Sequence, residues 1–109
     1  MNTVSIFRGD TWQRAWVISD GQNPVDLTGA SARLHVRDKN DALIMSASIA
    51  NGHLIMQPIG GRIDLVMPKE ITNVDLGKYK FDLEVTFANG TRKTYEQSNL
   101  VVMKDITHD

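Results

Sequence analysis

The segment from Gly77 to Met103 constrains the fold of this chain more than any other part. In positions 79–87, apolar or aromatic residues alternate with charged or polar ones over nine residues. This period of two is typical of a β-strand that buries one face and exposes the other. Asn89-Gly90 then provides residues that tolerate positive φ angles, which predicts a tight reversal and a long antiparallel hairpin. A hairpin with one apolar face is marginal alone, so other strands must cover it.

The register of this hairpin has two solutions. With a two-residue loop, Leu83 lies opposite Glu96. A three-residue loop, Ala88-Asn89-Gly90 with Gly90 in a bulge, instead places Tyr95 opposite Leu83 on the core face. We favour the three-residue loop, because it buries an aromatic ring rather than a carboxylate.

The favoured register leaves Leu100 and Val102 on the opposite face of the strand from Tyr95. Either a second bulge near residues 97–99 turns the strand, or this end of the hairpin is covered on both sides. A partner subunit is one candidate for the second cover. Leu100 and Val102 are therefore our candidates for an assembly contact.

The rest of the chain predicts six more short strands, separated by turn-forming residues. These strands cover residues 4–7, 11–18, 32–37, 43–49, 53–57 and 62–67. Residues 68–73 are the only plausible helical piece, a single turn with Pro68 at its start. About seven to eight strands and at most one short helical turn indicate an all-β fold, an antiparallel immunoglobulin-like β-sandwich.

Length and composition limit the class of protein. The 109 residues fit a single domain, 1–109, with 104–109 as a polar tail that frays. The net charge is −1, with twelve basic and thirteen acidic residues interspersed, so there is no basic stripe for nucleic acid. No run approaches the ~20 apolar residues of a membrane span, and the N-terminus lacks the pattern of a signal peptide. We expect a soluble protein that folds where it is made, with neither nucleic acid nor a membrane as a partner.

Two carboxylates are the strongest candidates for catalysis. Asp82 and Glu84 project from the same face of one predicted strand, so their carboxylates could lie within reach of each other. Glycosidases, however, need paired carboxylates across a cleft, usually from separate elements. The Ser and Thr residues lack a nucleophile elbow, and Gly60-Gly61 is too short for a phosphate-binding loop. The sequence therefore predicts a solvated carboxylate face, no catalytic residues, no cofactor and no enzyme.

Metal binding and adhesion are also weakly indicated. The chain has no cysteine, which excludes disulfides and thiolate metal sites. His35, His53 and His108 lack the short spacing that zinc ligands show, so we expect solvated histidines and no metal. Arg8-Gly9-Asp10 matches the tripeptide that integrins recognise, but Gly and Asp are also what a turn between two strands favours.

Three aromatic residues could form a stacking platform for a sugar or a protein partner. They are Trp12, Trp16 and Tyr95. Tryptophans on one face of an early strand are more often part of the core, since each can bury ~150–250 Å². On that face Arg14 would lie near a rim or a break in the core.

The turn and core residues carry a resemblance to a known family. Residues 9–12 (Gly-Asp-Thr-Trp) precede an aromatic strand, and residues 26–29 (Asp-Leu-Thr-Gly) precede an alternating strand that carries Arg33. Gly77, Tyr79 and residues 81–84 (Phe-Asp-Leu-Glu) then open the hairpin, with Leu76 directly before the glycine as a departure from the pattern. In these features the chain resembles the small β-sandwich structural proteins and N-terminal domains of tailed bacteriophages and prophages.

The resemblance implies a non-enzymatic virion structural protein in the tail, baseplate or fibre-attachment region. Such a protein would pack against other virion proteins, form a homo-oligomer in the particle, and fold in the cytoplasm of the bacterial host. Two alternatives stay open. One is a carbohydrate-binding or adhesion module that uses surface aromatics, and the other is a head–tail neck or capsid decoration protein.

Overall fold

The computed structural model describes residues 2–105 and consists of eight β-strands in this range. The strands are β1 (Asn2–Phe7), β2 (Trp12–Val17), β3 (Ser31–Arg37), β4 (Leu43–Ser48), β5 (Leu54–Gln57), β6 (Arg62–Met67), β7 (Gly77–Thr86) and β8 (Arg92–Met103). Residues 68–73 form one hydrogen-bonded turn, in which the Ile71 and Thr72 amides donate to the Pro68 carbonyl at 2.9 and 3.3 Å. The all-β prediction, with at most one short helical turn, is confirmed. In the described range no helix is long and apolar enough to cross a membrane.

The strands form two sheets that pack face to face. The large sheet has five strands in the order β1-β8-β7-β3-β4, and the small sheet has three in the order β2-β6-β5. All pairs are antiparallel except β1 with β8, which is parallel. The parallel pair arises because the turn after β1 leads into the other sheet, so no hairpin fixes the direction of β1. The architecture is the predicted immunoglobulin-like sandwich with one parallel edge pair.

Every strand contributes side chains to a single core between the sheets. Examples, one from each strand in chain order, are Ile6, Trp12, Leu34, Met45, Leu54, Ile63, Phe81 and Leu100. Trp12 packs edge-on against Phe81, with ring centroids 5.2 Å apart and an interplanar angle of 83°. This geometry, which aromatic pairs prefer, confirms that the tryptophan face of β2 points inward.

The hairpin of β7 and β8 follows neither predicted register completely. Near the turn it has the three-residue loop, with the Phe87 amide donating to Thr91 at 2.7 Å and Gly90 at φ 88°. The register then shifts beside Leu83, so that Leu83 lies opposite Glu96 and Tyr95 is the extra residue of a bulge. The prediction that Tyr95 would be buried in place of a glutamate is wrong. Glu96 points into the sandwich with its side chain 13% exposed, whereas Tyr95 is 36% exposed.

The bulge also corrects the expectation for the end of β8. It turns the strand before residues 97–99, so Leu100 and Val102 face the core and are 0% and 2% exposed. The small sheet of the same chain, rather than a partner subunit, covers these two side chains. Leu100 and Val102 therefore provide no surface for the assembly contact that the sequence suggested. Of the predicted frayed tail, only Lys104 and Asp105 belong to the described residues, and they follow the end of β8.

Candidate functional site

A charged pair lies between the sheets near the edge formed by β2. The Arg14 guanidinium on β2 donates through Nη2 to both carboxylate oxygens of Glu96 on β8, at 2.7 and 2.8 Å. Trp16 Nε1 and Ser98 Oγ also donate to this carboxylate, at 2.8 and 2.7 Å. Each oxygen of Glu96 thus accepts two hydrogen bonds, and the group joins the two sheets.

The surroundings of this pair favour the ionised state. Burial raises the pKa of Glu96, but the hydrogen bonds from Ser98, Arg14 and Trp16, with the charge of Arg14, outweigh it and hold the pKa below its ordinary value. The guanidinium carbon of Arg14 lies 5.6 Å from the ring centroids of both Trp16 and Phe81, in the range of a cation–π contact. Arg14 Nε is buried without a hydrogen-bond partner. Ser98 is 1% exposed and directs its proton to Glu96, so it cannot meet a substrate. The arrangement connects the two sheets through a partly buried ion pair.

The carboxylates weighed as catalytic lie on the outer face of the large sheet. Glu84 pairs with Arg33 at 3.0 Å and with Arg92 at 3.4 Å. Asp82 lies between His35 on β3 and Gln97 on β8, opposite both in register. The face therefore brings each carboxylate beside basic or amide side chains. Both carboxylates are partly buried there, with the Glu84 side chain 18% exposed, so the face is less solvated than the sequence predicts.

The histidines of the described range belong to different parts of the sandwich. His35 is on the outer face of β3, where partial burial, and then the charges of Arg33 and Arg37, lower its pKa despite the opposing effect of Asp82 and Glu84. His53 precedes β5 in the small sheet. His108 lies outside the described residues. These separate positions give the two described histidines no common site.

The Arg8-Gly9-Asp10 tripeptide forms a fixed turn between β1 and β2. The Asp10 amide donates to the Phe7 carbonyl at 3.1 Å, and Gly9 has φ 81°. Thr72 Oγ1 donates to the Asp10 carbonyl at 2.7 Å, which holds the turn against the loop after β6. The interpretation of this tripeptide as a structural turn fits its hydrogen bonds.

The three aromatic residues weighed as a platform do not form one. Trp12 is 4% exposed, and Trp16 donates its indole N–H to Glu96 inside the sandwich. Tyr95 packs edge-on against Phe87, with ring centroids 6.5 Å apart. Two of the three are therefore occupied by contacts within the core region, and the third lies at the hairpin bulge.

A hollow of about 540 Å³ lies on the outer face of the large sheet, beside the loop between β3 and β4. Its lining carries both signs of charge: Asp38, Asp41, Lys39, Lys78 and Lys80, with Thr3, Tyr79, Asn99 and Val101. Asp38 organises the loop by accepting hydrogen bonds from the amides of Asn40 and Ala42, at 2.8 and 3.0 Å. The mixed charge selects neither anions nor cations.

A run without charged residues forms one whole side of the sandwich. From residue 42 to residue 61 the sequence contains no Asp, Glu, Lys or Arg, although such residues make up 23% of the chain. This run comprises β4 and β5, which are the edge strands of the large and the small sheet and follow one another along the chain. We call residues 42–61 the charge-free side.

The charge-free side is also apolar at its surface. Four of its large hydrophobic side chains are exposed: Leu43 (48%), Ile49 (37%), Ile55 (51%) and Ile59 (77%). Exposed, uncharged edge strands are unusual, because free peptide groups there can pair with another chain. Sequence reasoning missed this surface, although its signal was the absence of charge over these residues.

Comparison with known proteins gives a match at the level of the fold. The structure is similar to that of CopC from Methylosinus trichosporium OB3b, with a TM-score of 0.55 and 11% sequence identity. The match covers 99% of this chain and 88% of CopC. No protein-family model and no curated protein sequence matches the chain.

At 11% sequence identity, the similarity to CopC assigns no ligand to this chain. Between residues 2 and 105, no group of three or more His, Cys, Asp or Glu side chains is placed so that it could hold a metal ion. The similarity to CopC therefore extends to the fold alone.

The resemblance to tailed-bacteriophage proteins is wrong, and so are the functions drawn from it. The fold is similar to that of CopC from Methylosinus trichosporium OB3b, and no sequence or family match links this chain to a virion. The correction applies to the tail, baseplate and fibre-attachment role and to the virion location. The two alternatives, a neck or capsid decoration protein and a carbohydrate-binding or adhesion module, find no support in the comparisons.

The residues that carried the resemblance explain the error. Asp26 accepts hydrogen bonds from the amide and hydroxyl of Thr28 at 2.9 and 2.6 Å, Leu27 is 0% exposed, and Gly29 has φ 79°. These residues build a turn and anchor it in the core. A sandwich needs such residues whatever its function, so they report the fold and not the role.

Proposed function

We propose that this chain is a non-enzymatic domain that works by associating with copies of itself through the charge-free side. The observation that carries the proposal is the position of this run of residues. It forms both edge strands on one side of the sandwich and exposes Leu43, Ile49, Ile55 and Ile59 there. An apolar surface that includes a free strand edge is typical of a protein interface.

The lack of charge favours a second copy as the partner. In a twofold dimer the same surface is present on both subunits, so a residue near the axis meets its own counterpart. A charge there would face a like charge in the partner, which is unfavourable for directly opposed strand residues. A surface with no Asp, Glu, Lys or Arg avoids this repulsion in every register.

The absence of enzymatic activity is part of the proposal. It is supported by the pairing of Glu84 with Arg33 and Arg92 on the outer face of the large sheet, and by the burial of Ser98. We further propose that neither nucleic acid nor a membrane surface is a partner, since basic and acidic residues are interspersed and nearly equal in number.

Analytical ultracentrifugation over a concentration series tests the proposal. We expect the wild type to form a dimer as concentration rises, and Ile55→Lys to raise the dissociation constant about tenfold or more, because two ammonium groups would be brought together in an apolar interface. Val17→Lys is the matched control. Val17 is 60% exposed and Ile55 51%, both on the outer face of the small sheet, but Val17 lies on the opposite edge strand.

The two variants make the result decisive. Dimerisation that Ile55→Lys weakens and Val17→Lys leaves unchanged supports the proposal. A wild type that remains monomeric at every concentration overturns it. A dimer that both variants leave intact overturns the assignment to the charge-free side.

A further inference from the structure

We infer that two copies join through β5, which pairs antiparallel with β5 of the partner subunit so that Ile55 meets Ile55 across a twofold axis. This inference rests on the proposed function and identifies the strand and register of the contact. It follows from the different states of the two edge strands on the charge-free side.

The edge of β4 is already occupied by a side chain of the same chain. The Ile49 amide donates to the Ala32 carbonyl on β3. Because inward and outward peptide groups alternate along an antiparallel strand, Ser46 and Ser48 of β4 direct theirs away from β3, to the outer edge. Asn51 Oδ1 accepts a hydrogen bond from the Ser48 amide at 2.9 Å, and Asn51 Nδ2 donates to the Ser46 carbonyl at 3.2 Å. The side-chain amide of Asn51 thus takes the place that a peptide group of a neighbouring strand would have.

Among residues 2–105, no side chain covers the edge of β5 in this way. The Val66 amide donates to the His53 carbonyl at 2.9 Å, and this pair continues the register of β5 with β6. By the same alternation, Ile55 and Gln57 direct their peptide groups to β6, whereas Leu54 and Met56 direct theirs to the free edge. Two residues of β5 therefore offer two N–H donors and two carbonyl acceptors to another strand.

Only one symmetric register uses all of these groups. When Leu54 lies opposite Met56 of the partner subunit, each of the two equivalent pairs exchanges two hydrogen bonds. A shift toward the end of the strand places Leu54 opposite Pro58, which has no N–H. A shift toward its start places Met56 opposite Gly52, whose amide already donates to Ile49 at 3.2 Å.

This register places Ile55 on the twofold axis, opposite Ile55 of the partner subunit. The pair is a non-hydrogen-bonded one, in which the Cα atoms are about 4.5 Å apart and the side chains lie close together. Ile55 points outward and is half exposed in the single chain, so the contact covers an apolar side chain. The two small sheets then form one continuous sheet of six strands.

Site-directed cross-linking tests the register, since the chain has no cysteine of its own. Ile55→Cys creates a single thiol, and the expected Cα separation is within the range that a disulfide spans, about 4.4–6.8 Å. We expect mild oxidation to convert most of Ile55→Cys to a covalent dimer. Val17→Cys, at a somewhat more exposed position on the other edge strand, should remain almost entirely monomeric.

The outcomes separate this inference from the proposed function. Rapid cross-linking of Ile55→Cys but not of Val17→Cys supports the β5 contact. If the wild type dimerises and Ile55→Lys weakens the dimer, but Ile55→Cys cross-links no faster than Val17→Cys, the β5 register is overturned and the proposed function stands. A wild type that never dimerises overturns both.

Discussion

At the scale of single residues, the pair of Arg14 and Glu96 links stability to pH. The folded state holds the pKa of Glu96 below its ordinary value. The resulting stabilisation is fully present above the pKa of an unfolded glutamate and is lost as the pH falls through the lower pKa of the folded state. We expect the free energy of unfolding to decrease on acidification below about pH 4.5, the ordinary value for this group.

Glu96→Gln isolates this contribution. At neutral pH we expect it to lower the free energy of unfolding by about 1–3 kcal/mol, because Arg14 loses a charged partner inside the sandwich. The variant should also lack the part of the acid sensitivity that Glu96 causes. Urea unfolding at several pH values measures both effects, with Glu70→Gln as the control, since Glu70 is exposed in the turn after β6. Equal pH dependence in wild type and Glu96→Gln would contradict the assignment.

The residue scale also shows where sequence reasoning failed. The preference for burying Tyr95 assumed that a carboxylate cannot face the core, which holds only when it lacks a partner. The partner is Arg14, which is 82 positions away in the sequence and lies on the other sheet. Alternation within the hairpin contains no information about that residue. The three-residue loop, by contrast, depends on local residues and was predicted correctly.

At the scale of strands, Asn51 decides which edge of the charge-free side is open. Asn51→Ala removes its side-chain bonds to Ser46, to Ser48 and to the His53 amide, which donates to Oδ1 at 3.0 Å. We expect the free energy of unfolding to fall by about 1–3 kcal/mol. Because the edge of β4 is then free to pair, we also expect species larger than a dimer in light scattering.

Asn89→Ala is the control for Asn51→Ala. Asn89 also accepts an amide hydrogen bond in a loop, from Thr91 at 2.9 Å, but it lies in the turn between β7 and β8, neither of which is an edge strand. The Asn89→Ala variant should have a lower free energy of unfolding than the wild type and the same oligomeric state. If Asn51→Ala is destabilised and yet associates no further than the wild type, the side chain of Asn51 supports its loop and does not protect the edge of β4.

At the scale of the whole molecule, the fold could be predicted from the sequence and the functional surface could not. Alternating strands and turn residues specify a sandwich because they act locally, and all eight strands were found near their predicted positions. The absence of charge in residues 42–61 is visible in the sequence, but only the strand order shows that β4 and β5 are both edges. The phage resemblance failed because it relied on residues that any sandwich of this kind uses.

Amide exchange measured residue by residue tests the central claim, that copies associate through β5. The amides of Leu54 and Met56 point to the free edge of β5. On β2, the Ile18 amide donates to the Gly61 carbonyl of the neighbouring chain segment, so by the alternation of an antiparallel pair the amides of Gln13 and Ala15 point to the free edge of β2. As protein concentration rises, the account predicts that exchange slows at Leu54 and Met56 while it stays fast at Gln13 and Ala15. Exchange at Leu54 and Met56 that remains fast at every concentration would contradict it.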